Sequence, residues 1–224
     1  MTKVRALLGA ALPLFLWAFP QAHAALVGSQ LPFPTKPSPS ATISDLETAL
    51  LGLAPTLRPE PLHAALSSWA ALHSRGDVTH AILTVIDYGL PSTVKRLWVF
   101  DLESRSLLFH ELVAHGRNSG DDLARSFSNQ DGSLMTSLGA FVTGATYEGK
   151  NGYSLRLRGV ERERNDHAEE RAIVVHGAPY VSEDVARKLG RLGRSHGCPA
   201  LRLEIARPLI DEIKDGSLLY AWHP

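Results

Sequence analysis

Apolar positions along this chain change their spacing twice. Leu7 to Phe19 is an unbroken apolar run. From residue 44 the apolar residues recur at helical intervals. Leu46, Leu50, Leu51 and Leu53 form one stripe, with Ser44 and Glu47 three apart as a capping box before it. Leu62, Leu66, Trp69 and Leu72 form a second over Pro61–Ser74, closed by Gly76. Beyond residue 80 the period shortens to that of strands. The pattern predicts strands at 81–86, 96–101 and 106–113, the last two a hairpin across Glu103-Ser104, and further strands at 138–143, 153–158, 173–175 and 217–222. Only two helices are predicted among them, at 182–192, with Glu183 and Asp184 in its first turn, and at 205–214, interrupted early by Pro208. Many short strands with few helices predict a mainly β or α+β sandwich.

The first apolar run has the form of an export signal. Lys3 and Arg5 precede it, and Ala22-His23-Ala24 supplies a small-x-small cleavage site. It falls short of the roughly 20 residues that span a bilayer. Pro32, Pro34, Pro37 and Pro39 then mark an extended linker. The predicted organisation is a signal peptide at 1–24, a Pro-rich linker at 25–42, a helical segment packed on the domain at 43–76 and a catalytic domain at 77–224. Cleavage after Ala24 leaves 200 residues, enough for one domain with a real core. The full chain carries a formal charge of +0, and loss of Lys3 and Arg5 leaves about −2. That balance excludes the basic surface a nucleic-acid or anionic-membrane partner would want.

The chain has one cysteine, Cys198, in Arg194-Ser195-His196-Gly197-Cys198-Pro199-Ala200-Leu201. It cannot form an internal disulfide, and a lone thiol in an exported protein suggests intermolecular pairing, a reactive group or a small buried hydrophobe. Its neighbours favour reactivity. His176, at the end of the strand 173–175, offers a rigid base, and His196 lies two residues from the thiol, on the same face if the segment is a strand. Gly197 permits close backbone approach, and successive N–H groups around His196, Gly197 and Cys198 can form an oxyanion nest. A zinc site from His115, His176, His196 and Cys198 is the rival use, but none of the usual paired spacings is present. No metal or cofactor is expected.

Here the sequence resembles the L,D-transpeptidase catalytic domain family (YkuD-type), whose signature is a histidine, a spacer and Ser/Thr-His-Gly-Cys. His176 and Ser195-His196-Gly197-Cys198 follow it, with a spacer slightly longer than the family's. Met135 to Phe141, including Gly139, resembles the family's Thr-Pro-x-Gly-x-Phe strand. The branch with Ser-x-Gly-Cys-Pro-Ala-Leu is closer still; His115 to Gly120, Phe127 to Asn129, Gly149 to Leu155 and Asn165-Asp166 fit it too. Where the better-known branch has Arg or Asn just after the cysteine, this chain has Pro199 and Ala200, and Arg202 lies two places further.

The resemblance implies a YkuD-type β-sandwich of mixed sheets and an exported, periplasmic or cell-envelope enzyme acting on peptidoglycan stem peptides. Cys198 would attack the third residue of a tetrapeptide stem, His176 would move the proton, His196 would support the thiolate, and Ser195 and Gly197 would complete the motif. Asn118, Ser119, Gly139, Tyr153, Arg171, Gly177 and Arg202 are the candidate substrate-binding residues. Asn118, Ser119, Asn165 and Asp166 equally suit turns, Tyr153 suits sheet packing, and Arg171 an ion pair with Glu169 or Glu170. A hydrolase of the same fold (an L,D-carboxypeptidase, amidase or endopeptidase) and a non-catalytic peptidoglycan-binding module are the alternatives. One outcome follows from the sequence alone: secreted from a bacterial host, the mature chain should begin at Ala25. Intact mass would read this, and retention of Met1 to Ala24 would contradict it.

Overall fold

A computed structural model describes residues 39–224, with side chains from residue 43. The expected signal and most of the expected linker lie outside the described residues. Two helices lead, α1 (Pro39–Leu53) and α2 (Pro59–Ser74). Pro39 occupies the first helical position, where its missing N–H costs nothing. Helix α1 therefore starts inside the stretch expected as linker, and Ser44 is not its cap. The Ser44 carbonyl instead accepts from the Thr48 hydroxyl in mid-helix, and Glu47 receives His63 of α2 at 3.1 Å. Helix α2 does end at Gly76. Left-handed there (φ 77), Gly76 donates to His73 O, and Asp77 donates to Leu72 O, a paired closure of the last turn.

Eight strands follow: β1 (Ile82–Asp87), β2 (Leu97–Asp101), β3 (Ser106–Glu111), β4 (Gly139–Gly149), β5 (Gly152–Gly159), β6 (Val174–Gly177), β7 (Ala200–Leu201) and β8 (Leu218–Trp222). The predicted mainly β architecture with few helices is what the chain adopts. The strands join in one mixed ladder, ordered β3-β2-β1-β8-β4-β5-β6-β7, with β1–β8 and β6–β7 parallel. The ladder nearly closes on itself, because Ala114, just past β3, bridges to Ala200 of β7. The β2–β3 hairpin turns as expected: Asp101 accepts the N–H groups of Glu103 and Ser104, and Arg105 is left-handed (φ 51). Strand β4 runs six residues beyond its predicted end, past a register irregularity between Thr143 and Thr146. Strand β7 has two residues, too few to show a period.

Alternation along the strands sorts side chains into two cores. Leu83 and Val85 of β1, Trp98 and Phe100 of β2 and Leu218 and Tyr220 of β8 meet Leu46, Leu50, Leu62 and Leu66 of α1 and α2. Ile86, Leu97, Val99, Leu219 and Ala221 face the other way, onto α4 (Leu203–Ile213). Pro208 does not interrupt α4, whose Ala206, Leu209, Ile210 and Ile213 are buried against that core. Between β6 and β7 lies α3 (Glu183–Leu189), capped by Ser182 and stopped by left-handed Gly190, so it ends before the predicted Leu192. Asp87, fully buried, takes a bidentate bond from Arg58 at 2.7 and 2.8 Å, tying the α1–α2 connection to the end of β1. Helices that share a core with the sheet should unfold with it. Leu66→Ala is expected to cost about 2–5 kcal/mol in a single urea transition; a separate early transition for the helices would show that they fold on their own.

Candidate active site

The residues of the cysteine motif are threaded between two backbone segments. On one side, Ala114 N–H donates to Ala200 O, Ser195 N–H to His115 O and Arg117 N–H to Ser195 O. On the other, β7 pairs with β6 in parallel, His176 opposite Ala200 and Gly177 opposite Leu201. The His176 ring thus comes from β6, and the thiol from the turn that leads into its neighbour β7, at the closing edge of the ladder. Cys198 is 7% exposed.

Ser195 fixes the turn. Its hydroxyl donates to Cys198 O at 2.6 Å and accepts Gly197 N–H at 3.1 Å. One of the three N–H groups expected to form an oxyanion nest is therefore already used inside the loop. Gly197 is left-handed (φ 124), and a Cβ there would stand 2.7 Å from Met135 O. This reversal removes the motif from strand geometry. His196, expected on the thiol's face, is exposed instead.

His176 is buried, and its Nδ1–H donates to Gly177 O at 2.9 Å. That bond selects the tautomer and leaves Nε2 with the free lone pair. Burial lowers the imidazole pKa from its usual value, and the carbonyl bond raises it in part. The Cys198 thiol is pushed up by burial, opposed by the Val174 N–H, by the charge of Arg171 and by its own N–H. Burial thus favours the neutral form of both the thiol and the imidazole. The thiol proton is directed at Ala172 O, 3.7 Å away, and Ala172 is itself left-handed (φ 51).

The other expected binding residues are mostly engaged inside the protein. Arg171 donates to Ser128 O and Met135 O at 2.7 Å, to Ser133 Oγ at 3.1 Å and to Ser137 Oγ. It pairs with neither Glu169 nor Glu170. Arg202 forms a bidentate pair with Glu111 at 2.7 to 2.9 Å and reaches Glu204 at 3.0 Å. Tyr153 bonds Asp211 of α4 and lies under Arg207. Asn118 donates to Ser133 O, and buried Ser119 accepts Thr136 N–H. Gly139 is left-handed (φ 99), with the Glu161 carboxylate where a Cβ would sit, and Gly177 lets Ala206 and Leu203 of α4 pack close. Asn165 is fully buried, joining Leu138 O, Ala140 O and Glu161 N–H. Asp166 accepts from Asn129 and Glu163 N–H. Of these, Asn118, Ser119, Asn165, Asp166 and Arg171 tie together the long connection 112–138 and the turn 161–172.

Sequence reasoning missed the support beneath the motif. Arg96 is fully buried, donating to Val113 O, to Leu90 O and to His115 Nδ1 at 2.8 Å, and it stacks on Tyr88. Burial pushes its guanidinium down to about 10, which leaves it charged. The Tyr88 hydroxyl is buried without a partner among the described residues, and the ring lines a small void with Thr136, Gly197 and Pro199. The one local signal was the His115 to Gly120 segment; Arg96 sits in an ordinary strand pattern. Among the described residues no three His, Cys, Asp or Glu side chains converge as a metal site would require, and His115 is turned onto Arg96. No described helix is long and apolar enough to cross a membrane.

Comparison with known proteins places the chain. A family model, L,D-transpeptidase catalytic domain, matches residues 53–222. The solved structures that resemble it include the helical cell shape determining protein Pgp2 from Campylobacter jejuni, at 13% identity and a TM-score of 0.39, covering 62% of this chain and 43% of that one. Another is an L,D-transpeptidase from Mycobacterium smegmatis, at 14% identity and a TM-score of 0.38, covering 64% and 68%. The chain thus spans less than half the length of the Campylobacter protein. No curated protein matches it.

The burial of His115 has a measurable consequence. Desolvation and the Arg96 charge push it down to about 4 from 6.5. Between those values the unfolded chain binds a proton that the folded protein does not. Stability therefore falls as pH falls through this window, by roughly 3 kcal/mol. His115→Asn should flatten that part of the stability curve in urea unfolding; equal slopes in both proteins would remove His115 as its source.

Proposed function

The chain belongs to the L,D-transpeptidase catalytic domain family, and from that premise we propose that it is an exported cysteine acyltransferase acting on peptidoglycan stem peptides. The observation that carries this reading is a buried, unbridged Cys198 just before β7, with a His176 ring on the adjacent β6 whose Nδ1–H is fixed by Gly177 O. Nε2 is then the only ring atom able to accept the thiol proton.

The chemistry follows from these atoms. His176 Nε2 takes the Sγ proton as the sulfur attacks the carbonyl carbon of the third stem residue, a diamino acid. The carbonyl electron pair moves to its oxygen, which the Cys198 N–H can receive while Gly197 N–H is held by Ser195. Collapse breaks the bond to the terminal D-alanine, whose nitrogen takes the proton back from His176. The thioester is then attacked by an amine of a second stem, or by water, and His176 again carries the proton. Because both partners rest neutral, the proton moves during attack rather than before it. The low pKa of His176 supports this role, since the ring stays unprotonated at neutral pH.

Ser195 fixes the turn that carries Cys198, bonding Cys198 O and Gly197 N–H. A cell-envelope location fits the family's substrate and the N-terminal export pattern.

The test is intact-protein mass after incubation with purified tetrapeptide muropeptides. Wild type should gain the mass of the stem less its terminal D-alanine, and Cys198→Ala should gain nothing. Joined stems among the products would identify transfer, shortened stems hydrolysis. His176→Gln should form adduct about 100-fold or more slowly. A folded protein with a free thiol that gives neither adduct nor product would overturn the assignment.

A further inference from the structure

Arg171 is an arginine without a carboxylate at a buried thiol. Its four hydrogen-bond acceptors, Ser128 O, Met135 O, Ser133 Oγ and Ser137 Oγ, are all neutral. It enters no ion pair among the described residues. Its Nη2 lies 3.4 Å from the point a Cβ on Gly197 would occupy, so the guanidinium packs against the residue before Cys198, alongside Met135 O and Ile173. The Arg171 charge pulls the Cys198 thiol back down against its burial, and a Cys198 thiolate would in turn hold the guanidinium charged.

The other groups around the sulfur carry no charge at neutral pH. His176 from β6 is kept neutral by burial. Tyr88, beyond β1, and Tyr180, beyond β6, are phenols whose pKa values burial raises, that of Tyr180 to about 12. Arg96 is further back, behind the Tyr88 ring. His196, on the cysteine's own loop, is turned to solvent. The exposed carboxylate of Asp131 acts on Arg171.

We propose that Arg171 is a positioning residue for the nucleophile: its clamped guanidinium acts on Cys198 through its charge, favouring the thiolate and the oxyanion that succeeds it. The proposal rests on Cys198 being the nucleophile. It gives Arg171 no proton to move and no substrate atom to bind, because the Nη groups that face the site are already donating to the 128–137 segment. A fixed charge in a site of low water content is poorly screened and does not reorganise as the negative charge passes from sulfur to substrate oxygen and back.

The experiment is a titration of the thiolate by its ultraviolet absorbance, in wild type, Arg171→Lys and Arg171→Gln, with the Cys198→Ala signal subtracted to remove the tyrosines. Arg171→Gln should leave about tenfold less thiolate at any pH below the midpoint. Arg171→Lys, which keeps the charge and loses part of the clamp, should titrate with wild type. A merely structural Arg171 predicts the opposite pattern. Both variants would then alkylate faster with iodoacetamide as the 128–137 segment loosens, with the midpoint unmoved, and that result would overturn the proposal. Should Arg171→Gln not fold, Arg171→Lys decides: a wild-type midpoint with wild-type alkylation supports the charge, and a tenfold loss of thiolate, or faster alkylation at an unmoved midpoint, refutes it. Titration needs no turnover, so failure to form the muropeptide adduct leaves this readout intact.

Discussion

The closure of the ladder at β7 is the constraint on which the site depends. Two residues, Ala200 and Leu201, are held by β6 on one side and by Ala114 on the other. Cys198 lies just upstream, so its position is set by backbone bonds from both directions rather than by its own side chain. A strand this short has little stability of its own. It persists because the ladder brings it a partner on each edge, and because Ala114, Ala178, Leu192 and Ala200 pack together there.

That closure requires polar groups to be buried, and the structure satisfies nearly all of them. Arg96 is a buried cation with no carboxylate in contact, an arrangement that would be strongly unfavourable without its carbonyls. Val113 O, Leu90 O and His115 Nδ1 absorb its donors, and His115 O in turn holds Ser195 N–H. Ser195 then holds Cys198 O. The chain Arg96–His115–Ser195–Cys198 links the residue before β2 to the Cys198 backbone without a carboxylate at any step. A network of this kind fixes geometry more than it adds stability.

Burial and reactivity oppose one another at the sulfur. Exclusion of water pushes the thiol toward its neutral form, yet the same exclusion strengthens every dipole and charge aimed at it. The Val174 N–H, the Cys198 N–H and Arg171 all favour the anion, and burial outweighs them in the resting protein. A thiol that is ionised only when its proton has somewhere to go is also less open to oxidation, which follows thiolate character and exposure.

What the sequence determined by itself was whatever depends on local order. The strand and helix pattern, the β2–β3 hairpin, the stop at Gly76 and the motif His176…Ser195-His196-Gly197-Cys198 were all legible, because spacing and residue type carry them. The family match over residues 53–222 agrees with the family resemblance read from the sequence. Tertiary structure decided which groups remain free. Arg202, Tyr153 and Asn165 look like ligands in the sequence and prove to be bonded to Glu111, Asp211 and the Leu138 and Ala140 carbonyls, partners far along the chain. His196 looks like a partner of the thiol, but a positive φ at Gly197 turns the chain between them. Arg96, unremarkable in its strand, becomes the support of the site only when the ladder curls. A hydrogen bond between distant residues leaves no trace in local spacing, so the occupancy of each donor could be known only after the fold had brought its acceptor to it.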